Sequence, residues 1–428
     1  MIFFNHKKLT KIAKISFELG ILFLLAVPIL SGLFLLFSFV VSIFNIKENY
    51  FTNKWNKYFF ISSIFLLFST TINIIFRNEY LLENWDPNIY WINLFNWIPF
   101  FFIFWIFKPY LKNVISRKRV IYILLVGSIP LIITGIGQYF LKWHGPIILF
   151  NGLLTWFQRP IGSYGGLTGL FNNENYAAIW LAIIWPLSLA CILNKKLSLF
   201  QKFLVYSFII LIAFTAILTR SRIVRFELLV SYILTFLNHI QILLIPIYLI
   251  FIIFLAIKLY PNIGLSFQFD KSIIALFKKI NIMDFEKFLK NIQNIDRINI
   301  WMQTINLIIK RPFIGWGAAT FPYLFYHKDK AYFSHTHNIF FEIAYSYGLI
   351  PAILISIPII SILIISFNKL FINKNTSKNH ELRLEKSWWI ATFTIVVSHL
   401  VDIQYYDFRI SFIFWIFLSG LSNIIEEY

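Results

Sequence analysis

Residues 17–44 read FELGILFLLAVPILSGLFLLFSFVVSIF, and this apolar stretch decides the fold class. A helical membrane crossing needs roughly 20 mostly apolar residues. The stretch is longer than one crossing requires. It therefore allows either one tilted helix or two short helices that break near Pro28, Ser31 and Gly32. The positions of the basic residues along the rest of the chain distinguish these two possibilities.

The whole chain has the composition of a polytopic membrane protein. Of its 428 residues, 59% are hydrophobic and only 13% are charged, whereas about a quarter of a soluble domain is charged. A net charge of +19 in a soluble protein would indicate nucleic-acid binding. Here the apolar excess favours membrane lipids over nucleic acid as the partner. The further candidate crossings are 58–76, 91–107, 120–141, 176–193, 203–219, 226–238, 240–257, 351–367, 388–401 and 410–424.

The basic residues fall on one side of the membrane only if residues 17–44 form a helical hairpin. More than half of the 38 Lys and Arg residues lie in five segments, namely 7–14, 45–57, 108–119, 195–202 and 369–386. The positive-inside rule makes that side cytoplasmic. The sequence thus predicts an all-α polytopic membrane protein with about 12 transmembrane helices and both termini in the cytoplasm.

Three regions follow from this topology. Residues 1–257 form an N-terminal transmembrane bundle of about nine helices, and residues 338–428 form the C-terminal transmembrane helices. Residues 258–337 form one large extracytoplasmic loop with amphipathic helices. Its stretch 271–293 mixes lysines with apolar residues, as in a helix that lies in the membrane interface. The first apolar stretch lacks a small-residue cleavage site, so we expect no cleavable signal peptide.

The clearest polar cluster on the outer face is Ser334-His335-Thr336-His337-Asn338, where the long loop returns to an apolar run. Histidine is the side chain best suited to take a proton near neutral pH. Two interfacial histidines hydrogen-bonded to water or backbone are the alternative. A metal site is a third interpretation, although no Cys or carboxylate lies nearby in sequence.

Arginines form a second set on the same face. Arg220 and Arg222 lie between two apolar helices, with Arg225 close behind. Arginine binds phosphate oxygens bidentately, so these residues are candidate diphosphate ligands. Contacts with lipid phosphates are the alternative. Arg297 with Trp301 is the third element, and Arg297 is a further candidate, although an Arg297–Trp301 cation–π pair would also explain its position.

A fourth element runs from Arg159 through several glycines to Phe171-Asn172-Asn173-Glu174-Asn175. Asn175 and Arg159 are candidate supporting residues. The asparagines would also serve as caps of the helix that starts near Tyr176. All four elements lie on the face that the charge distribution makes external. A pocket of guanidinium and imidazole groups at a lipid boundary suits a lipid-linked diphosphate, with the arginines replacing a metal and no cofactor required.

The chain resembles the O-antigen ligase and polymerase superfamily. The resemblance covers about residues 150–428 and rests on five motifs. They are Gly169 to Asn175, Ser221-Arg222, Arg297 with Trp301, Arg311-Pro312 with Gly315-Trp316-Gly317, and His337-Asn338 followed after nine residues by Gly348-Leu349. The chain departs from the family pattern at Pro351 and at Glu174.

The resemblance implies a GT-C-like, metal-independent glycosyltransferase of the bacterial inner membrane. Such enzymes transfer a glycan from undecaprenyl diphosphate to an acceptor hydroxyl on the periplasmic face. The acceptor is lipid A–core in ligases and another repeat unit in polymerases. By analogy His337 is the catalytic residue, and Arg222 and Arg297 bind the diphosphate. The residue pattern, apart from the resemblance, adds three candidate site residues: Arg220, Arg159 and His335. Asn338 and Asn175 belong to the supporting motifs.

We expect an O-antigen ligase-like enzyme, with a polymerase of the same superfamily as the first alternative. A membrane transporter is the second, because some relatives carry a bicarbonate-transporter label. Transporters usually contain repeated halves around a midplane site. The chain shows no such repeat, and the crossings 58–76 and 203–219 contain no charged residue. A catalytically inactive scaffold is the third alternative. The sugar, the acceptor, the oligomeric state, the stereochemistry and the choice between His335 and His337 stay open.

Overall fold

The computed structural model describes residues 6–46, 49–76, 86, 88–152, 154–156, 158–162, 165–192, 197–237, 296–325, 333–372 and 380–427. Within these ranges the protein is nearly all α-helical, as the sequence predicts. The predicted crossing at 240–257 and the amphipathic stretch 271–293 lie outside the described residues. The boundaries of the three predicted regions therefore remain predictions.

The described part of the chain contains sixteen α-helices, most of which are strongly apolar. They are α1 (His6–Phe23), α2 (Pro28–Asn45), α3 (Lys54–Ile75), α4 (Asn88–Leu94), α5 (Ile98–Ile106), α6 (Val114–Gly127), α7 (Ile129–Phe140), α8 (Glu174–Ile192), α9 (Leu199–Leu218), α10 (Arg222–Phe236), α11 (Asp296–Lys310), α12 (Phe321–Leu324), α13 (Ile339–Tyr347), α14 (Leu349–Phe367), α15 (His380–His399) and α16 (Phe408–Glu427). A short antiparallel hairpin pairs β1 (Ile147–Leu149) with β2 (Leu154–Trp156) between α7 and α8.

Eight helical stretches in the described part of the chain are long and apolar enough to cross a membrane. They are Pro28–Asn45, Lys54–Ile75, Asn88–Ile106, Val114–Phe140, Glu174–Ile192, Leu199–Leu218, Leu349–Ile372 and Phe408–Glu427. Helices α1, α10 and α15 correspond to further predicted crossings. However, α1 and α15 carry several charged side chains, and α10 has only 15 residues. The total of about 12 crossings stays a prediction.

Residues 17–44 form a hairpin, not one tilted helix. Helix α1 ends at Phe23 and α2 begins at Pro28, which occupies the first turn, where its missing N–H is not needed. The Ser31 hydroxyl donates a hydrogen bond of 2.6 Å to the Gly20 carbonyl. A side chain at Gly20 would come within 2.6 Å of Leu35, so this glycine allows the two helices to pack closely.

Two predicted single helices are each broken by a proline. The predicted crossing 91–107 consists of α4 and α5, which separate before Pro99. The predicted crossing 120–141 starts earlier, at Val114, and divides at Ser128 into α6 and α7, just before Pro130. Proline lacks the N–H that would continue the helical hydrogen bonds, which explains both breaks.

Helices α8 and α16 form the centre of the bundle. In each of them 83% of the crossing segment is buried inside the protein. Helix α8 packs against α9, α10 and α15, and α16 packs against α5, α14 and α15. The buried Trp180 indole N–H donates to the Ser128 hydroxyl at 2.8 Å, and that of Trp415 donates to the Tyr405 hydroxyl at 2.7 Å. These bonds compensate the desolvation of two polar groups in an apolar core.

The two ends of the bundle differ in charge. One end holds Arg117, whose guanidinium bonds Glu385 at 2.9 Å and Glu427 at 2.5 Å. Lys108 bonds Glu426 at 2.6 Å, and Lys14 donates to the Ser116 hydroxyl at 3.2 Å. We call this the basic end. The opposite end carries the turn from Leu400 to Asp407, between α15 and α16.

The Arg117 ion pairs are expected to contribute strongly to stability, because Arg117 and Glu385 are almost fully buried. Arg117→Ala leaves the Glu385 carboxylate buried without its partner, and we expect a loss of about 3–5 kcal/mol in the free energy of unfolding. Arg119→Ala is the matched control, because Arg119 is exposed and lies 3.6 Å from Glu18. It should cost at most about 1 kcal/mol. Chemical denaturation in detergent measures both values, and similar small losses would contradict the assigned role of Arg117.

Candidate functional site

The histidine-containing loop is fixed in place by the helix that follows it. Asn338 caps α13, since its side-chain oxygen accepts a hydrogen bond of 3.1 Å from the Phe341 N–H. Its side-chain nitrogen donates to the Leu400 carbonyl at 2.8 Å. Asn338 thus joins the loop to the turn after α15. His337, directly before this cap, has a φ of +54°, which is unusual for a residue with a side chain.

His337 forms a hydrogen-bonded pair with Asp402. The distance from His337 Nδ1 to Asp402 Oδ1 is 2.9 Å. The carboxylate is nearly buried, whereas 22% of the His337 side chain is exposed. Asp402 Oδ1 also accepts a bond of 3.0 Å from the Ile403 N–H. A carboxylate at Nδ1 fixes the tautomer and leaves Nε2 as the proton acceptor.

The ionisation of Asp402 fits this arrangement. Burial by itself would raise the pKa of Asp402, but the hydrogen bond and charge of His337 outweigh burial and lower the pKa below its ordinary value. Asp402 therefore stays a carboxylate at neutral pH. No role for Asp402 was predicted from the sequence. The sequence feature that could have identified Asp402 is its position: it is an acidic residue directly after an apolar helix, on the same predicted face as the histidines.

His335 lies beside His337 but has a different environment. Its Nδ1 accepts a hydrogen bond of 3.2 Å from the His337 N–H, and the two rings are 4.3 Å apart. Burial, and then the neighbouring His337, lower the pKa of His335 to about 4, and Arg297 acts in the same direction. Asp402 opposes this shift. His335 is therefore neutral at physiological pH, as its acceptor role requires.

A buried carboxylate that sequence reasoning missed also connects this loop to the α15–α16 turn. Glu342 accepts a hydrogen bond of 3.0 Å from the Thr336 N–H and another of 3.0 Å from the Tyr406 hydroxyl. Glu342 is 3% exposed. It holds both segments in register with α13, and so fixes the distance between His337 and Asp402.

Arg297 is the candidate arginine whose charge acts on His335. It is the second residue of α11, is half-buried, and is close enough to His335 to affect its pKa. The Arg297–Trp301 cation–π interpretation gains no support from the described contacts, in which the Trp301 ring packs 6.2 Å from Phe341. The cation–π pair found in this region is Arg311 over Trp316, at 4.4 Å.

Arg220 and Arg222 lie at the same end of the bundle, in the turn between α9 and α10. Both are exposed, and Arg222 is the first residue of α10. The Leu167 N–H donates to the Leu218 carbonyl at 3.0 Å, beside this turn. Four residues later, Phe171 packs 3.9 Å below the guanidinium of Arg409, which bonds Asp407 in the α15–α16 turn. The segment 167–171 therefore contacts both the end of α9 and the α15–α16 turn.

Asn175 and Arg159 have local structural contacts. The Asn173 side chain accepts a hydrogen bond of 2.7 Å from the Asn175 N–H, at the start of α8. Capping is therefore confirmed for Asn173. The Arg159 side chain is exposed, and its carbonyl accepts a bond of 2.6 Å from Gln138. The described contacts do not join either residue to the histidines.

The donor atoms of His335, His337 and Asp402 all lie within 4.8 Å of one another, so these groups could hold a metal ion. No carboxylate partner for the histidines was predicted from the sequence, but the fold brings Asp402 to them from the α15–α16 turn. Both histidine Nδ1 atoms are engaged within the protein, one by Asp402 and one by the His337 N–H. Neither Nε2 atom makes a hydrogen bond within the described part of the chain, and a carboxylate on Nδ1 also accompanies metal-bound histidines. The geometry is therefore compatible with a hydrogen-bonded imidazole pair and with a metal site.

The low pKa of His335 predicts a pH-dependent stability. Protonation favours the unfolded chain wherever the folded pKa is the lower one. Stability from His335 is complete above about pH 6.5 and is lost as the pH falls towards 4. We expect the melting temperature of the wild type to fall more steeply over this range than that of His335→Asn. His144→Asn, at an exposed histidine, should follow the wild type. Parallel curves for wild type and His335→Asn would contradict this.

The comparison with known families agrees with this geometry. Residues 207–356 match the family model described as O-antigen ligase. None of the curated proteins matches the chain significantly. The matched segment includes Arg220, Arg222, Arg297, His335 and His337. It supports glycan transfer of the ligase or polymerase type at a membrane, and it does not favour the transporter alternative. The match at residues 207–356 supports the predicted resemblance of this chain to the O-antigen ligase superfamily.

Proposed function

We propose that the protein transfers a glycan from a polyprenyl (undecaprenyl) diphosphate to an acceptor hydroxyl on the periplasmic face of the inner membrane. The observation that carries the proposal is the 2.9 Å contact between His337 and Asp402. His337 lies inside the segment that matches the O-antigen ligase model, and Asp402 lies after that segment. The imidazole is partly exposed, so an acceptor hydroxyl can reach its Nε2.

In the proposed reaction His337 is the general base. Its Nε2 takes the proton of the acceptor hydroxyl as the hydroxyl oxygen bonds to the anomeric carbon of the glycan. The bond from that carbon to the diphosphate breaks, and polyprenyl diphosphate leaves with the electron pair. Asp402 stabilises the imidazolium that forms, as the carboxylate does in hydrolase triads.

Arginines stabilise the leaving group in this proposal. Arg297 acts electrostatically on His335, and Arg222 and Arg220 are exposed in the α9–α10 turn. Guanidinium groups bind diphosphate oxygens bidentately and balance the charge that develops on them. His335, Asn338, Asn175 and Arg159 are supporting residues. His335 and Asn338 fix the backbone at His337, whereas Asn175 and Arg159 are more distant.

The charge of the basic end supports the membrane orientation that we propose. The basic end holds Lys14, Lys108 and Arg117, and basic residues accumulate on the cytoplasmic side of membrane proteins. We propose that both termini are cytoplasmic and that the histidine end faces the periplasm. A GT-C-like arrangement of about 12 crossings completes this topology. The apolar helices and the family match support a multi-pass protein of the inner membrane.

His337→Ala and Asp402→Asn test the proposed base directly. Losing a general base typically costs about 10²- to 10⁴-fold in rate, and we expect a loss in this range for His337→Ala. Asp402→Asn should also lower kcat, because an amide cannot stabilise the imidazolium. His144→Ala is the matched control at an exposed histidine and should leave the rate unchanged. The assay measures glycan transfer from a lipid-linked donor in membrane vesicles.

A fully active His337→Ala protein, correctly inserted in the membrane, would refute the proposed mechanism. The product of the same assay identifies the acceptor class. Long glycans on a lipid acceptor support the ligase assignment, whereas growth of lipid-linked chains by one repeat unit would indicate the polymerase.

Metal independence is tested separately because three donor groups cluster at the site. Because arginines balance the charge of the leaving diphosphate in this proposal, we expect the transfer rate to be unchanged within about twofold in excess EDTA. A matched sample with added Mg²⁺, Mn²⁺ or Zn²⁺ should show no gain. Loss of activity in EDTA that one of these ions restores would show that His335, His337 and Asp402 act as metal ligands.

A further inference from the structure

Gln138, near the end of α7, is a buried amide whose hydrogen-bonding groups are all used. It is 1% exposed. Its side-chain nitrogen donates to the Arg159 carbonyl at 2.6 Å and to the Thr168 hydroxyl at 2.9 Å. Its oxygen accepts from the N–H groups of Thr168 and Gly169, each at 2.9 Å. An amide has two donor and two acceptor sites, so this side chain is fully satisfied and fixes the backbone that it binds.

The backbone that this amide holds, residues 166–171, lies against the turn between α9 and α10. We call residues 166–171 the connecting segment. The Leu167 N–H donates to the Leu218 carbonyl at 3.0 Å, just before that turn. A Cβ atom at Gly166 would lie 1.8 Å from the Thr219 carbonyl oxygen, so this close approach requires glycine.

The turn itself has an uncommon backbone conformation. Arg220 has a φ of +59°, in the left-handed region that residues with a side chain rarely adopt. A backbone in this region persists only where the surrounding structure holds it. The connecting segment supplies contacts to Leu218 and Thr219, the two residues before Arg220. It therefore constrains the direction in which Arg220 and Arg222 leave the bundle.

The other end of the connecting segment contacts the α15–α16 turn. The Leu170 carbonyl accepts a hydrogen bond of 3.1 Å from Arg409, whose guanidinium lies 3.9 Å from the centre of the Phe171 ring. Arg409 also donates two bonds, of 2.9 and 2.6 Å, to the Asp407 carboxylate. Asp407 ends the turn that contains Asp402. One short segment thus contacts both the arginine turn and the turn that carries the partner of His337.

The separation of these two turns matters for the proposed reaction. The bond that breaks would lie between a diphosphate on the arginines and an acceptor hydroxyl at His337. A displacement of about 1 Å in such an arrangement can cost about 10²-fold in rate. The two turns belong to different helix pairs, so their separation depends on what lies between them.

We propose that the connecting segment sets the position of Arg220 and Arg222 relative to the His337–Asp402 pair, with Gln138 and Gly166 as positioning residues. The proposal rests on the proposed function and deepens it, because it assigns residues that act on the donor through the arginines. Neither Gln138 nor Gly166 takes part in bond making.

Gly166→Ala and Gly165→Ala are a matched pair of substitutions. A Cβ at Gly165 would lie 3.4 Å from its nearest neighbour, an ordinary van der Waals distance, whereas a Cβ at Gly166 displaces the arginine turn. We expect Gly166→Ala to lower kcat/KM for the donor by about 10- to 10²-fold and to leave KM for the acceptor unchanged. Gly165→Ala should match the wild type. A Gly166→Ala protein that only loses folded material would show a lower kcat with both KM values unchanged, and this result would overturn the proposal.

Binding of undecaprenyl diphosphate in phosphatidylcholine nanodiscs tests whether Gly166 acts through the arginines. Gly166→Ala alone should weaken binding about tenfold or more. In a protein that carries both Arg220→Gln and Arg222→Gln, the same substitution should cause at most about a twofold further loss, because the groups that it displaces are already absent. Additive losses would overturn the proposal.

Electron paramagnetic resonance on the full-length protein without substrate measures the separation itself. Spin labels at Phe226→Cys in α10 and Phe408→Cys in α16 replace side chains that are about half-exposed, and the native Cys191 is buried. We expect Gly166→Ala to shift or broaden the distance distribution and Gly165→Ala to leave it unchanged. Gln138→Leu, which removes the four amide hydrogen bonds, is the second variant and should broaden the distribution too. Unchanged distributions in both variants would overturn the proposal.

The two proposals fail in distinguishable ways. If His337→Ala stays active, or if the wild type does not bind undecaprenyl diphosphate, the proposed function is wrong. The spin-label distances do not depend on substrate, so they still decide whether the connecting segment sets the separation of the two turns.

Discussion

The hydrogen bond between His337 Nδ1 and Asp402 Oδ1 is the interaction on which the account of this protein depends. It joins two segments that are 65 residues apart, the loop before α13 and the turn between α15 and α16. Further hydrogen bonds of two residues hold these two segments together. Asn338 bonds the Leu400 carbonyl, and Glu342 accepts from both Thr336 and Tyr406. A base must be held in one orientation to act efficiently, and these bonds provide that constraint.

The sequence predicted features that depend on local chemistry. The hairpin at 17–44 was predicted from Pro28 and from the distribution of basic residues among the loops. The capping of α8 by an asparagine was predicted from the residue type. The histidine loop was identified from its position between a long loop and an apolar run. Each of these rests on neighbouring residues, or on a count of charges, and needs no knowledge of how the helices pack.

The sequence could not reveal Asp402 as the partner of His337, or Glu342 as the residue that aligns the two segments. Both roles depend on which helices are neighbours, and an apolar helix carries little information about its partner. For the same reason, the sequence could not show that Asp402 is a possible metal ligand together with the two histidines. Pro99 and Pro130 each lie within a continuous apolar run, and each run was predicted as one crossing. The structure divides these runs into α4 and α5 and into α6 and α7.

The two ends of the bundle use their charges differently. At the basic end, Arg117 and Lys108 are matched by Glu385, Glu427 and Glu426, which anchors the last helix. At the histidine end, Arg220 and Arg222 are exposed. Exposed cations at a membrane boundary attract anionic groups, and a diphosphate is the anion that the family match makes relevant.

The most direct measurement is a cryo-EM structure of the protein with polyprenyl diphosphate bound in a nanodisc. The account predicts that the diphosphate lies between Arg297 and Arg222, with the bond to be broken facing Nε2 of His337. Density for the diphosphate at the basic end, or a His337 separated from both Asp402 and the lipid, would contradict it.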